Sequence, residues 1–176
     1  MNNIGLFGGT FDPIHNGHLT IAECFVTRCR LDVCYIIPAK SSPFKADKPK
    51  MLSDDERCTL IEAKIAGTQK LVLSKYELEN SEISYTIDTM THFHSKFPEA
   101  NLYLLIGTDQ ALKFHLWRDY EKILQMSRIV IATRPEAYSA DDLAQIQVTF
   151  QNTNYIQLNN PIINITSTML REGQSK

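Results

Sequence analysis

Apolar residues along this chain fall into short runs that alternate with longer segments of helical periodicity. Ile4-Gly5-Leu6-Phe7 reads as a brief buried strand ended by Gly8 and Gly9, where no Cβ keeps a ligand away from the backbone. Leu19, Ala22, Phe25, Val26 and Cys29 recur at steps of three and four, the stripe of an amphipathic helix. Val33 to Ile37 is β-branched and aromatic and stops at Pro38, a second buried strand. From Ala39 to Lys50 the chain is polar and basic, a loop carrying Lys40, Lys45, Lys48 and Lys50. Ser53-Asp54-Asp55-Glu56 is a capping box and predicts a helix running to about Ala66, with Gly67 as its stop.

Leu71-Val72-Leu73 is a third strand, and Tyr85 to Phe97 is helical, with Ile87, Met90, His94 and Phe97 expected on one face. Leu102 to Ile106 is the clearest strand, followed at once by Gly107-Thr108-Asp109. Gln110 to Met126 is expected to be helical, in two pieces around Trp117. Ile129 to Ala132 forms a further strand ending at Thr133-Arg134-Pro135, then a helix over Ala140–Gln147 and a strand over Tyr155–Leu158. Thr166-Ser167-Thr168 opens a short helical tail.

Strands alternating with helices imply an α/β fold, a doubly wound and mainly parallel sheet with helices on both faces. In such folds ligands bind beyond the carboxyl ends of the strands, near the point where strand order reverses. The segments Gly8-Gly9-Thr10, Pro38 with its lysine loop, Gly107-Thr108-Asp109 and Thr133-Arg134 all follow strands, so one edge of the sheet should gather them. With no repeat or linker in view, the 176 residues read as a single domain, 1–176.

Composition narrows the partners. A net charge of −2 gives no global attraction to nucleic acid or an anionic membrane, so any phosphate recognition must be local. No apolar run approaches the ~20 residues of a membrane helix. The N-terminus reads as a strand rather than a signal peptide, and the cytoplasm is the expected location. Cys24, Cys29, Cys34 and Cys58 form no Cys-x-x-Cys pair and read as small buried hydrophobes.

The chemistry concentrates at the start. His15 and His18, three apart at a helix start, face the same side. A helix N-terminus attracts anions through its free N–H groups and its dipole. Two imidazoles there would donate to phosphate oxygens. Alone, the pair is equally a set of capping or surface histidines; after Gly8-Gly9-Thr10 the anion reading prevails. A zinc reading lacks a carboxylate between or beside the histidines, and the sequence carries neither Gly-x-Gly-x-x-Gly nor Gly-x-x-x-x-Gly-Lys-Ser/Thr. His92 and His94, two apart on a helix, point to different faces, and His115 reads as structural or exposed.

Gly8-Gly9-Thr10-Phe11-Asp12-Pro13-Ile14-His15-Asn16-Gly17-His18 resembles the signature of the HxGH nucleotidyltransferases, most closely the bacterial nicotinate-nucleotide adenylyltransferases. The resemblance continues through Ser84 to Thr89, Ile106 to Asp109, Trp117, Arg134-Pro135 and Ile165 to Arg171. It implies a Rossmann-like nucleotidyltransferase fold and transfer of AMP from ATP to the phosphate of a pyridine mononucleotide, with release of pyrophosphate. It implies catalytic roles for His15, His18 and Arg171. It places ATP against Gly8, Gly9, Thr10, Phe11, Lys45, Gly107, Asp109, Ser167 and Thr168, and the acceptor against Thr86, Trp117 and Arg134. Mg²⁺ would be held mainly by the ATP phosphates, with no metal-binding residues of the protein's own. The partners implied are small molecules, with neither nucleic acid nor membrane, and with room for a homo-oligomer.

Three departures bear on the acceptor. Relatives carry Pro-Pro-His-Lys where this chain has Ser42-Pro43-Phe44-Lys45, they have glycine where it has Glu136, and they continue well past the position of Arg171. Two other readings therefore stand beside the first: a superfamily transferase with a phosphopantetheine-like acceptor, and a nucleotide-binding paralogue with weak or no activity.

Overall fold

The computed structural model describes residues 1–41, 52–80, 82–133 and 139–158. Among these, six strands form one parallel sheet: β1 (Asn3–Gly9), β2 (Val33–Pro38), β3 (Leu71–Leu73), β4 (Asn101–Gly107), β5 (Arg128–Ala132) and β6 (Ile156–Leu158), in the order β3-β2-β1-β4-β5-β6. The helices are α1 (Asn16–Arg28), α2 (Asp54–Ile65), α3 (Tyr76–Asn80), α4 (Thr86–Lys96), α5 (Thr108–Leu112), α6 (Tyr120–Met126) and α7 (Ala140–Phe150). This is the Rossmann-like order, and β1 and β4 pair from Asn3↔Asn101 to Phe7↔Leu105 at its centre.

Period-two alternation divides the core between the two faces of the sheet. Ile4, Leu6, Leu102, Leu104, Ile106, Ile129 and Ile131 pack with Ile87, Met90 and Phe93 of α4, Ile123 of α6 and Ile146 and Phe150 of α7. Cys34, Ile36, Leu105 and Val130 pack on the other side with Ala22 and Phe25 of α1 and Ile61 and Ile65 of α2. Gly5 is needed on that second face: a Cβ there would collide with Leu31 and with Phe25, whose nearest ring atom lies at 2.7 Å. All four cysteines are free thiols; Cys29, Cys34 and Cys58 are buried, and burial pushes the Cys34 thiol far up.

The elements differ from expectation where tertiary packing overrode local pattern. β1 runs on through Gly8 and Gly9 because both pair with β2, at Ile37 and Pro38. On α4 it is Phe93, not His94, that joins Ile87 and Met90; Phe93 is 1% exposed, whereas His94 faces solvent. The segment after Asp109 is broken twice, into α5, a 3-10 turn at Phe114–Leu116, and α6. Trp117 stands at the break, as expected, and Asp119 adopts left-handed φ (51°) just before α6. The five-residue α3 has too little periodicity to be foreseen. The capping box stands as expected: the Ser53 N–H donates to Glu56 Oε2 at 2.7 Å, and the Glu56 N–H returns to Ser53 Oγ at 3.3 Å.

Candidate active site at the switch point

Strand order reverses between β1 and β4, and their carboxyl ends part to leave a crevice. A cavity of about 520 Å³ occupies it, floored by Leu6 and by Leu104 to Ile106. Gly8, Gly9 and Thr10 wall it after β1, Asp109 after β4, and Thr86 and Trp117 on the side of α4 and the 3-10 turn. The two glycines serve different ends. A Cβ on Gly8 would meet no atom of the described residues within 4 Å and would take up cavity space, whereas one on Gly9 would meet the Phe11 ring at 3.0 Å.

The turn after β1 is held from behind. Phe11 takes left-handed φ (47°), a costly conformation for a bulky residue. Its ring is buried edge-on to Phe7, with centroids 5.3 Å apart, and to His18 at 5.1 Å. Beneath the turn, Arg57 of α2 is fully buried and donates from Nη1 to the Thr10 carbonyl at 2.6 Å. Its Nη2 pairs with Asp54 at 2.5 Å, and Asp54 also accepts from Lys40 Nζ at 2.7 Å. Asp12, equally buried, accepts the Leu52 N–H at 3.0 Å.

His15 is the N-cap of α1 in extended conformation, and His18 stands one turn on. Their rings lie 3.8 Å apart between centroids, tilted by 33°. The His15 N–H donates to His18 Nδ1 at 3.3 Å, which assigns the proton of a neutral His18 to Nε2. Four expected site residues (Phe11, His15, His18 and Gly107) stand outside the wall of the 520 Å³ cavity. The histidines adjoin it through Phe11, whose ring reaches both Gly9 and His18. Gly107 sits under the Asp109 carboxylate, and its N–H donates to Gln110 Oε1 at 3.0 Å, which caps α5. Thr108 and Thr133 are struts: their hydroxyls donate to the carbonyls of Ala132 and Leu158 at 3.1 and 3.3 Å.

At the other end of the cavity Trp117 is half-buried against Phe114, with ring centroids 5.0 Å apart. Tyr85 and Arg118 also line this end, the guanidinium lying 4.8 Å over the tyrosine ring. Glu77 of α3 reaches the wall from below and accepts from Thr89 Oγ1 at 2.6 Å. Burial pushes its carboxyl up, opposed by hydrogen bonds with Thr89 and Ser84. The folded state therefore keeps this proton over a pH range in which the unfolded chain has lost it. The stability Glu77 contributes is full below its unfolded value and is lost as pH rises through its folded value. Thermal unfolding from pH 4 to pH 8 should show Glu77→Gln gaining stability relative to the parent as pH rises. Parallel curves would remove the buried carboxyl from the account.

Arg57, Glu77 and Arg118 carry no local signal of a place at the site, because each is defined by partners on other elements. His92 stacks on Tyr76 with centroids 4.0 Å apart, His94 and His115 are exposed, and no metal-binding group of three His, Cys, Asp or Glu occurs among the described residues. Lys45, Arg134, Ser167, Thr168 and Arg171 lie outside the described residues, as do Phe44 and Glu136. No helix among the described residues is long and apolar enough to cross a membrane.

Known proteins share this architecture. The profile of the family described as cytidylyltransferase-like matches residues 6–173. A protein of Clostridium novyi named "Probable nicotinate-nucleotide adenylyltransferase" is 35% identical, covering 97% of this chain and 86% of its own. A protein of Rhodopirellula baltica with the same name is 33% identical over 97% of this chain and 81% of its own. Among solved structures, Plasmodium falciparum nicotinic acid mononucleotide adenylyltransferase complexed with NaAD superposes with a TM-score of 0.76. That match covers 100% of this chain and 85% of the other at 17% identity, a likeness of fold. The profile spans most of the sequence and the two curated relatives are matched almost end to end, so the chain belongs to the cytidylyltransferase-like family, among the nicotinate-nucleotide adenylyltransferases.

Proposed function

We propose that this chain transfers the adenylyl group of ATP to the phosphate of nicotinate mononucleotide, giving nicotinate adenine dinucleotide and pyrophosphate. The observation that carries the reading is one cavity with two unlike ends. A glycine turn beside a histidine pair stands at one, and a half-buried tryptophan with Thr86 at the other. Phosphates suit the first end and a flat ring the second.

In this reading an oxygen of the acceptor phosphate forms a bond to the α-phosphorus while the bond from that phosphorus to the bridging oxygen breaks. Pyrophosphate leaves with the electron pair, and nothing is oxidised or reduced. The attacking phosphate is already ionised at neutral pH, so the chain need supply no general base. Its work is positioning and charge stabilisation. Gly8, Gly9 and Thr10 bring backbone close to the nucleotide, Phe11 sets their conformation, and His18 donates from Nε2 to a phosphate oxygen with His15 beside it. Asp109 faces the ATP ribose, with Gly107 in the turn beneath its carboxylate. Lys45, Ser167, Thr168 and Arg171 complete the triphosphate's surroundings, while Thr86, Trp117 and Arg134 receive the acceptor. Mg²⁺ enters on the triphosphate as part of the substrate.

The test is pyrophosphate release with ATP and a panel of acceptors: nicotinate mononucleotide, nicotinamide mononucleotide and phosphopantetheine. The pyridine nucleotides should support release and phosphopantetheine should not. ATP binding with no release from any acceptor would overturn the enzymatic reading.

A further inference from the structure

We propose that Arg118 reads the charge on the acceptor's ring, selecting an acid over the corresponding amide. This rests on the adenylyltransferase reading. If the acceptor phosphate reacts beside Thr10 and the histidines, its ring must extend towards the opposite end of the cavity, where Trp117 offers a face. Arg118 is the next residue and lines the same wall. Its guanidinium is stacked 4.8 Å over Tyr85, a second lining residue that immediately precedes Thr86, so the fork is held against the place the ring occupies.

The present partner of Arg118 is weak. Nη2 lies 3.8 Å from Asp88 Oδ1, at the outer edge of an ion pair, with the two side chains 54% and 47% exposed. Such solvated pairs contribute little. A ring carboxylate entering the cavity offers the planar, bidentate geometry that guanidinium matches best and Asp88 does not supply. An amide offers no charge in exchange. Lys113 is the other cation on the described wall, but it follows α5 on the Asp109 side and is not stacked on the ring-binding elements.

The experiment measures kcat/KM for nicotinate and nicotinamide mononucleotides in the parent, R118Q, R118K and K113Q. In parallel, quenching of Trp117, the chain's single tryptophan, reads binding without turnover. Loss of charge-assisted hydrogen bonds should lower kcat/KM for the acid in R118Q by roughly 10- to 50-fold, through KM, with the amide changed by less than about threefold. R118K should recover part of the preference and K113Q should leave the acid-to-amide ratio unchanged. Pyrophosphate release with the same ratio in R118Q as in the parent, or a ratio altered by K113Q instead, overturns the role of Arg118 and leaves the enzymatic reading intact. Acid-selective quenching abolished by R118Q, with no release from either acceptor, upholds Arg118 and overturns the enzymatic reading.

Discussion

His18→Ala is expected to lower kcat for pyrophosphate release by roughly 100- to 1000-fold, the usual cost of removing one preorganised donor from a transition state. The argument is geometric. Nδ1 of His18 accepts the His15 N–H at 3.3 Å, so the ring is oriented by its own helix and the proton sits on the other nitrogen. Alanine removes both the donor and the ring that braces Phe11 at 5.1 Å. The variant should therefore also lose stability, on the order of 1 kcal/mol for a helix-terminal contact. Saturating kinetics together with thermal unfolding separate the two effects. Turnover within a few-fold of the parent, in a folded variant, would show that His18 does not touch the reacting phosphates.

Arg57→Met is expected to be the most damaging single change to folding among the residues around the turn. The guanidinium is fully buried, so its removal takes a donor from the Thr10 carbonyl and, from Asp54, the cation 2.5 Å away. Breaking a buried pair in this way costs about 3 kcal/mol or more. Asp54 remains partly exposed and keeps Lys40, which places the expected loss near the lower end. Urea denaturation of parent and variant measures it directly. The KM for ATP should rise as well, because the same bond fixes the peptide before Phe11. A loss below about 1 kcal/mol, with KM unchanged, would mean that the turn holds its shape without Arg57.

Much of the fold was legible because its signals are local. Ile4 to Phe7, Val33 to Ile37 and Leu102 to Ile106 are short apolar runs bounded by glycine or proline, and Ser53 with Glu56 announces its helix in four residues. The gathering of Gly8 to Thr10 and Asp109 at one crevice follows from topology once the strands are assigned. The site's supports were not legible for the opposite reason. Arg57 reads as an ordinary polar residue of a capped helix, and only its bond to Thr10, 47 positions away, makes it part of the site. The break around Trp117 was expected, but the left-handed Asp119 that precedes α6 is a conformation its local sequence does not demand. Glu77 sits in a helix too short to show a period, and its hydrogen-bond partners, Ser84 and Thr89, come from later in the chain.

The continuity of the cavity from Gly8 to Trp117 also bears on what happens after the bond is made. Two ligands that arrived separately would leave as one molecule gripped at both ends. In such a case the second grip comes without a second loss of translational freedom. The dinucleotide would then cling more tightly than either of its precursors and block the places of both. Its departure, rather than the chemistry, then becomes the natural limit on the cycle.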